Sequence, residues 1–302
     1  METITNGTPD LCDTRTLRPL LERHGFRFSR SMGQNFLIDR SIPEAIAAAS
    51  EADRSCGVLE IGPGAGALTA ELSKRAGKVA AVELDRTLLP VLRETLASCP
   101  NAEVLEGDVL NLDLTALAAE QFPGLTPIVC GNLPYNITTP VLTRLVETPC
   151  FRTVTVLVQK EVARRLSAPD GSPEGGAFSL FLRYYMEPRL LFEVPRDRFL
   201  PAPKVDSAVL RCVRRDRPAV EVEDEAFFFR VVRGGFLLRR KTLANSLSAA
   251  LGTFSRADIQ GALERCGLPE RVRGEALTLP QFADLARELR KMEQSKKFRE
   301  GT

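Results

Sequence analysis

One histidine, His24, serves a chain of 302 residues. That scarcity excludes much chemistry. A multi-histidine metal site cannot be built. A Ser-His-Asp triad would have to recruit its histidine from the polar stretch RHGFRFSR, where His24 reads as a surface residue. The seven cysteines are scattered, odd in number and free of any CxxC pair. They suit neither a zinc site nor a disulfide framework, so reduced thiols in a cytoplasm are expected. No apolar run approaches the roughly 20 residues needed to span a bilayer. The opening METITNGTPDLCDT lacks the basic-then-apolar layout of a signal peptide. The sequence therefore predicts a cytoplasmic protein with no metal and no membrane partner.

Net charge is also nearly absent, at +2, but it is unevenly spread. From Arg196 onward Lys and Arg outnumber Asp and Glu, while the front of the chain is net acidic. A basic back third suggests an anionic partner for that end, nucleic acid first; the plain alternative is a solvated helical surface. With 44% hydrophobic and 26% charged residues, the chain can bury a core and stay soluble.

The front two-thirds alternates strand-like and helix-like runs: CGVLEIG then ALTAELSKRA, KVAAVELD then TLLPVLRETLAS, AEVLEGDV then LDLTALAAEQF, PIVCGN then TPVLTRLVE, RTVTVLVQ then KEVARRLS. This spacing predicts βαβ units in an α/β fold with a mainly parallel sheet. Near-continuous apolar strands fit a sheet covered on both faces. SAPDGSPEGGAFS (167–179) reads as a loop, and YYMEPRLLFEV and DSAVLRCVRR as two more strands. Beyond about Pro218 the pattern is helical, so the domains expected are 1–217 and 218–302, ending in a frayed tail, EQSKKFREGT.

VLEIGPGAGALTAEL is a strand, a glycine turn and a helix. Gly62, Gly64 and Gly66 let the backbone turn tightly and let a ligand approach it. Gly62, Gly64 and Ala67 also satisfy the dinucleotide pattern, so a nicotinamide enzyme must be weighed. Glu83 ends the next strand and can accept from both ribose hydroxyls of NAD or of S-adenosyl-L-methionine. Asp108 ends the third strand and can take a hydrogen bond from an adenine amino group, which is more typical of adenosylmethionine. Pro63 removes a backbone donor that a diphosphate would want. An acidic pocket suits a sulfonium cofactor that carries no phosphate.

The fourth strand runs into Asn132-Leu133-Pro134-Tyr135, at the sheet end where ligands bind. An exocyclic amine on a purine is a poor nucleophile because its lone pair is delocalised into the ring. Two acceptors holding the amino hydrogens draw the nitrogen towards a tetrahedral shape. The Asn132 side-chain oxygen and the Leu133 carbonyl can be those acceptors. Pro134 fixes the turn, and Tyr135 can stack on the base, a contact worth roughly 1–3 kcal/mol. No general base is needed, which suits a chain with one histidine.

GQNFLID, LEIGPGAGALT, VELD, GDVL, NLPYNITTPVL, QKEVARRL, FLPAPKVDSAV and RRKTLANSL, in this order, closely resemble the small-subunit rRNA adenine N6,N6-dimethyltransferases over residues 30–290. The resemblance implies a Rossmann-like methyltransferase domain with a small α-helical C-terminal domain. It implies dimethylation of two adjacent adenosines in a hairpin near the 3′ end of small-subunit rRNA, within an immature particle. By similarity Asn35 and Leu37 join Gly62, Glu83, Asp108 and Asn132 at the cofactor. Also by similarity, Glu60 lies at the active site and Phe199 faces Tyr135 across the target base. On its own Phe199, before two prolines in an extended segment, reads first as a core residue. SMGQNFLID can fold over the cofactor as a lid or be a plain N-terminal arm.

FLLRRKTLANSL places Arg239, Arg240 and Lys241 on an expected helix. With Arg211, Arg214, Arg215, Arg217, Arg230 and Arg233 they form a candidate phosphate-contacting cluster. Three features depart from the family: Gly175-Gly176-Ala177-Phe178 where a strand usually begins, Gly234-Gly235 inside a helix, and the tail beyond Met292. Three rivals stand beside this reading. They are a resistance dimethyltransferase of large-subunit rRNA, an assembly factor whose binding outweighs its catalysis, and an NAD oxidoreductase. A monomer is expected.

Overall fold

The computed structural model describes residues 10–28 and 33–300. The opening nine residues and Ser31 and Met32 of the expected lid lie outside the described residues. The chain divides into two compact units, Met1–Ala163 with Pro188–Arg214 and Arg164–Glu187 with Arg215–Thr302. The second unit thus gains residues 164–187, which the expected boundary at 217/218 leaves in the first.

In the first unit, α1 (Thr14–Arg23), the two-residue strand β1 (Phe36–Leu37) and α2 (Ser41–Ala49) come first. Then β2 (Cys56–Ile61), α3 (Ala67–Arg75), β3 (Lys78–Glu83), α4 (Leu89–Thr95), β4 (Ala102–Glu106), α5 (Leu114–Gln121), β5 (Thr126–Asn132), α6 (Thr138–Glu147), β6 (Thr153–Gln159) and α7 (Lys160–Ser167), whose residues from Arg164 on belong to the second unit, alternate as the pattern predicts. β7 (Met186–Val194), β8 (Phe199–Leu200) and β9 (Ser207–Arg214) complete the strands. The sheet order is β4-β3-β2-β5-β6-β9-β7. β2 to β6 pair in parallel, and β9 runs antiparallel to β6. β2 is buried along its whole length and β6 nearly so, as a sheet packed on both faces requires. The chain leaves β2 for β3 on one side and returns on the other at β5. That reversal opens a crevice at the carboxyl ends of β2 and β5.

The sequence reading assigns no element to the α1 segment; the polar stretch RHGFRFSR begins only at its last residue. Leu17, Leu20 and Leu21 recur at helical spacing and are buried, and the Asp13 side chain caps the start by accepting from Arg15 N at 2.8 Å. His24 follows the helix, with Nε2 2.7 Å from Glu94 Oε2.

In the second unit, α8 (Ala177–Tyr185), α9 (Glu225–Gly235), α10 (Leu243–Leu251), α11 (Arg256–Arg265) and α12 (Leu279–Glu300) share one core, with Leu180, Tyr184, Phe228, Leu247 and Phe282 within it. Four expectations are corrected here. Ala177–Ser179 are helical, not loop, so the Gly175-Gly176 departure opens a helix and not a strand. Tyr184 and Tyr185 end α8, because their rings pack on Phe229 from a helix; only Met186 onward is strand. The long run EAFFFRVVRGGFLLRRKTLANSLSAAL is two helices, and Arg239, Arg240 and Lys241 stand in the turn between them. The tail is not frayed throughout: the backbone of α12 stays helical to Glu300.

Gly234 and Gly235 have a packing reason. A Cβ on Gly234 would sit 2.9 Å from Ala250 Cβ, and one on Gly235 would sit 3.0 Å from the Phe282 ring. The two glycines let α9 approach α10 and α12 closely enough to close the core, which offsets their helix-propensity cost of about 1 kcal/mol each.

Candidate active site

The glycine turn after β2 needs its glycines. Gly62, Gly64 and Gly66 adopt φ of 69°, 60° and 91°, a region that side-chain-bearing residues rarely enter. Gly62 N donates to Val82 O at 3.0 Å, and Gly66 N to Pro63 O at 2.9 Å. A Cβ on Gly62 would point towards Asn132 O at 3.8 Å and Pro134 Cδ at 4.0 Å, into the gap between the glycine turn and the β5 turn.

A cavity of about 250 Å³ opens there. It collects Asn35, Leu37, Glu60, Gly62, Gly64, Glu83, Asp108, Asn132, Leu133 and Pro134, which the sequence predicts together. Gly66, Tyr135 and Phe199 do not line it: Gly66 precedes α3, and Tyr135 is half-buried beyond the turn. Phe199 is 2% exposed and packs with Leu37, Ile46, Leu157, Val194 and Val209. This is the core position that its place before two prolines in an extended segment suggests. The cause is the antiparallel pairing of Leu37 with Phe199 and of Phe36 with Leu200, which seals β8 beneath the cofactor segment.

Several residues missed by the sequence reading also line the cavity. Gln34 Nε2 donates to Asp85 Oδ2 at 2.7 Å, which ties the segment ahead of β1 to the end of β3. Leu84, 51% exposed, and Val109 present apolar surface beside Glu83 and Asp108. The signal for Leu84 lay in VELD itself, an apolar residue between two acids at a strand end.

Glu60, Glu83, Asp85 and Asp108 all face this cavity, and no Lys, Arg or His among the described residues lines it. Glu60 is 1% exposed, and among the described residues its Oε2 has no hydrogen-bond partner, while the Thr69 hydroxyl favours the ionised form of the carboxyl. Burial, reinforced by the charge of Glu83, pushes its carboxyl up to about 8. Burial also raises Glu83, against backbone N–H groups of Asp85 and Gly64 that favour the ionised form. Asp108 accepts from Leu110 N at 2.9 Å and Asn111 Nδ2 at 2.8 Å, so its carboxylate is held at the rim. This donor set fits S-adenosyl-L-methionine, with an ammonium and a sulfonium. It does not fit a diphosphate, which would meet four acidic side chains and, among the described residues, no cation.

Asn132 Nδ2 donates to Asn35 O at 2.9 Å. Only the NH2 of an amide can donate to a carbonyl, so the side-chain oxygen is the remaining acceptor. Pro134 O accepts from Ile137 N and Thr138 Oγ1, both at 3.2 Å, which locks the turn after β5.

The candidate RNA-contacting cations separate. Arg239, Arg240 and Lys241 are exposed. Arg214 and Arg215 are corrected to structural roles. The Arg214 guanidinium donates to the carbonyls of Leu145, Val146, Thr148 and Phe151 at 2.9–3.0 Å. Arg215 donates to Arg183 O at 3.1 Å and Glu187 Oε1 at 2.8 Å. Arg211 is paired with Glu51, and the Arg230 guanidinium lies over the Phe227 ring at 5.5 Å.

A doubly wound sheet that gathers carboxylates but no cation at its switch point serves a positively charged cofactor. This chain is an S-adenosyl-L-methionine-dependent methyltransferase of Rossmann-like fold. A profile described as ribosomal RNA adenine dimethylase matches residues 25–291, and the chain belongs to that family. The ribosomal RNA small subunit methyltransferase A of Streptococcus agalactiae serotype V is 46% identical over 93% of this chain and 99% of the relative. The protein of that name from a Geobacillus species is 44% identical over 93% and 98%. Among solved structures, a dimethyladenosine transferase from Plasmodium falciparum has a TM-score of 0.71 and 25% identity, covering 84% of this chain and 97% of that one. The 23S rRNA methyltransferase ErmE has a TM-score of 0.65 and 30% identity, covering 84% and 99%.

Proposed function

We propose that this enzyme dimethylates N6 of two adjacent adenosines in a hairpin near the 3′ end of small-subunit rRNA. It acts as a monomer, in the cytoplasm, on an immature small subunit. The observation that carries the chemistry is the orientation of Asn132. With its NH2 committed to Asn35 O, its oxygen is left to accept a hydrogen from the target amine. The Leu133 carbonyl takes the second hydrogen, and Tyr135 stacks on the base, which must first leave its stack. S-adenosyl-L-methionine supplies a methyl group already activated on a cationic sulfur. The chain's task is to hold the amine in line with it and to exclude water. The N6 lone pair forms the new C–N bond as the S–C bond breaks, and an N6 proton leaves to solvent; the cycle then repeats on the monomethylated nitrogen.

The choice of small-subunit RNA is supported by relatives that carry that name along nearly their whole length. The likeness to ErmE makes large-subunit RNA the alternative to test. Methyl transfer from labelled cofactor to small subunits lacking the modification, with large subunits as control, decides. Label recovered as N6,N6-dimethyladenosine from small-subunit RNA alone is expected. Label in large-subunit RNA moves the enzyme to the other substrate. Asn132→Ala is expected to keep subunit binding and to lose methylation by about 100- to 1000-fold, the scale for removing one preorganised polar group from a reacting centre.

A further inference from the structure

We propose that Ser207 is a positioning residue for methyl transfer, whose hydroxyl anchors the Tyr135 phenol and sets the ring face offered to the target base. The inference rests on the reading of Tyr135 as the stacking platform. The Tyr135 hydroxyl lies 2.5 Å from Ser207 Oγ. Ser207 is 0% exposed. It opens β9, paired with Gln159 at the end of β6. Lys160 N donates to Asp206 O at 3.0 Å just beyond that pair, so the backbone carrying Ser207 is held by the ladder.

The β5 turn is tied to β6 as well, through Leu133 N to Leu157 O at 3.1 Å. Tyr135 is therefore held at both ends. Its backbone follows a turn locked onto β6, and its hydroxyl is bound to the first residue of the next strand. Between these ends the ring is half-buried. A ring fixed only at its Cα can rotate about two side-chain bonds; a bond at the far end removes most of that freedom. Stacking itself needs only the π-face. The hydroxyl contributes orientation, and orientation is where this reaction takes most of its rate.

The test compares Ser207→Ala, Tyr135→Phe, the double variant and Tyr135→Ala by steady-state methylation and thermal unfolding. Ser207→Ala and Tyr135→Phe are each expected to lower kcat about fivefold to tenfold, the worth of one net hydrogen bond, with KM for the cofactor unchanged. The double variant is expected to be no slower than either single one, since both remove the same bond. Wild-type kcat in folded Ser207→Ala and Tyr135→Phe, with a large loss in Tyr135→Ala, overturns the anchor and leaves the platform standing. Additive losses in the double variant also overturn the anchor. Wild-type kcat in Tyr135→Ala overturns platform and anchor together. Should Ser207→Ala fail to fold, Tyr135→Phe decides alone: its side chain is only half-buried, and an unchanged kcat overturns the anchor.

Discussion

Glu60 shows what one buried carboxyl implies. In the unfolded chain it ionises near its ordinary 4.5, and in the fold at about 8. A raised acid destabilises the charged form. Over pH 4.5 to 8 the unfolded chain therefore holds fewer protons than the fold, and stability falls as pH climbs through that window, then levels off. A cationic cofactor in the same cavity favours the ionised form, so binding at pH 7 is expected to release protons. Calorimetry in two buffers of different ionisation enthalpy measures this directly. Affinity should rise with pH up to about 8, and Glu60→Gln should abolish the release. Equal heats in both buffers would show that Glu60 does not respond to the cofactor.

At the scale of elements, the turn between α9 and α10 and the end of β9 carry similar charges with different purposes. Arg239, Arg240 and Lys241 are exposed in the turn. Replacing all three by Gln is expected to weaken RNA binding and reduce its salt slope by about 2 to 3, since each phosphate contact contributes about 0.7–0.9. Arg214→Gln is expected to leave that slope alone. It should instead lower stability by about 1–3 kcal/mol, because the carbonyls of Leu145, Val146, Thr148 and Phe151 lose their donor. Thermal unfolding and salt-dependent RNA binding, measured on both variants, separate the two roles. A count of basic residues could not, since Arg214 differs from Arg239 only in what lies around it.

At the scale of the whole molecule, each unit is assembled from separate stretches of chain. The core of the second unit joins Leu180 and Tyr184 to Phe227, Phe228 and Phe229. A chain cut to residues 1–217, at the boundary the helical pattern suggested, keeps the first pair and loses the aromatics they pack against. It is expected to bind a hydrophobic dye and to aggregate. A monomeric 1–217 with cooperative unfolding and no dye binding would mean that 164–187 finds its place without the C-terminal helices.

The sequence by itself determined the alternation of strands and helices, the three-glycine turn, the acids at the ends of β3 and β4, and the Asn-Leu-Pro-Tyr turn after β5. These are local: strand periodicity, positive φ and a proline-locked turn act over a few residues and leave their mark in order along the chain. It also pointed to the cofactor, because a proline in the glycine turn and two strand-end acids already disfavour a diphosphate. Only the tertiary structure decided which segment covers Phe199, since that depends on its pairing with Leu37 far away in sequence. It decided which arginines are spent on backbone carbonyls, and that Arg239–Lys241 leave the helix. It also placed Asn35 O against the amide of Asn132 and Ser207 against the phenol of Tyr135. Such contacts join residues dozens of positions apart, and nothing in a linear pattern records which partner a donor finds once the chain has closed.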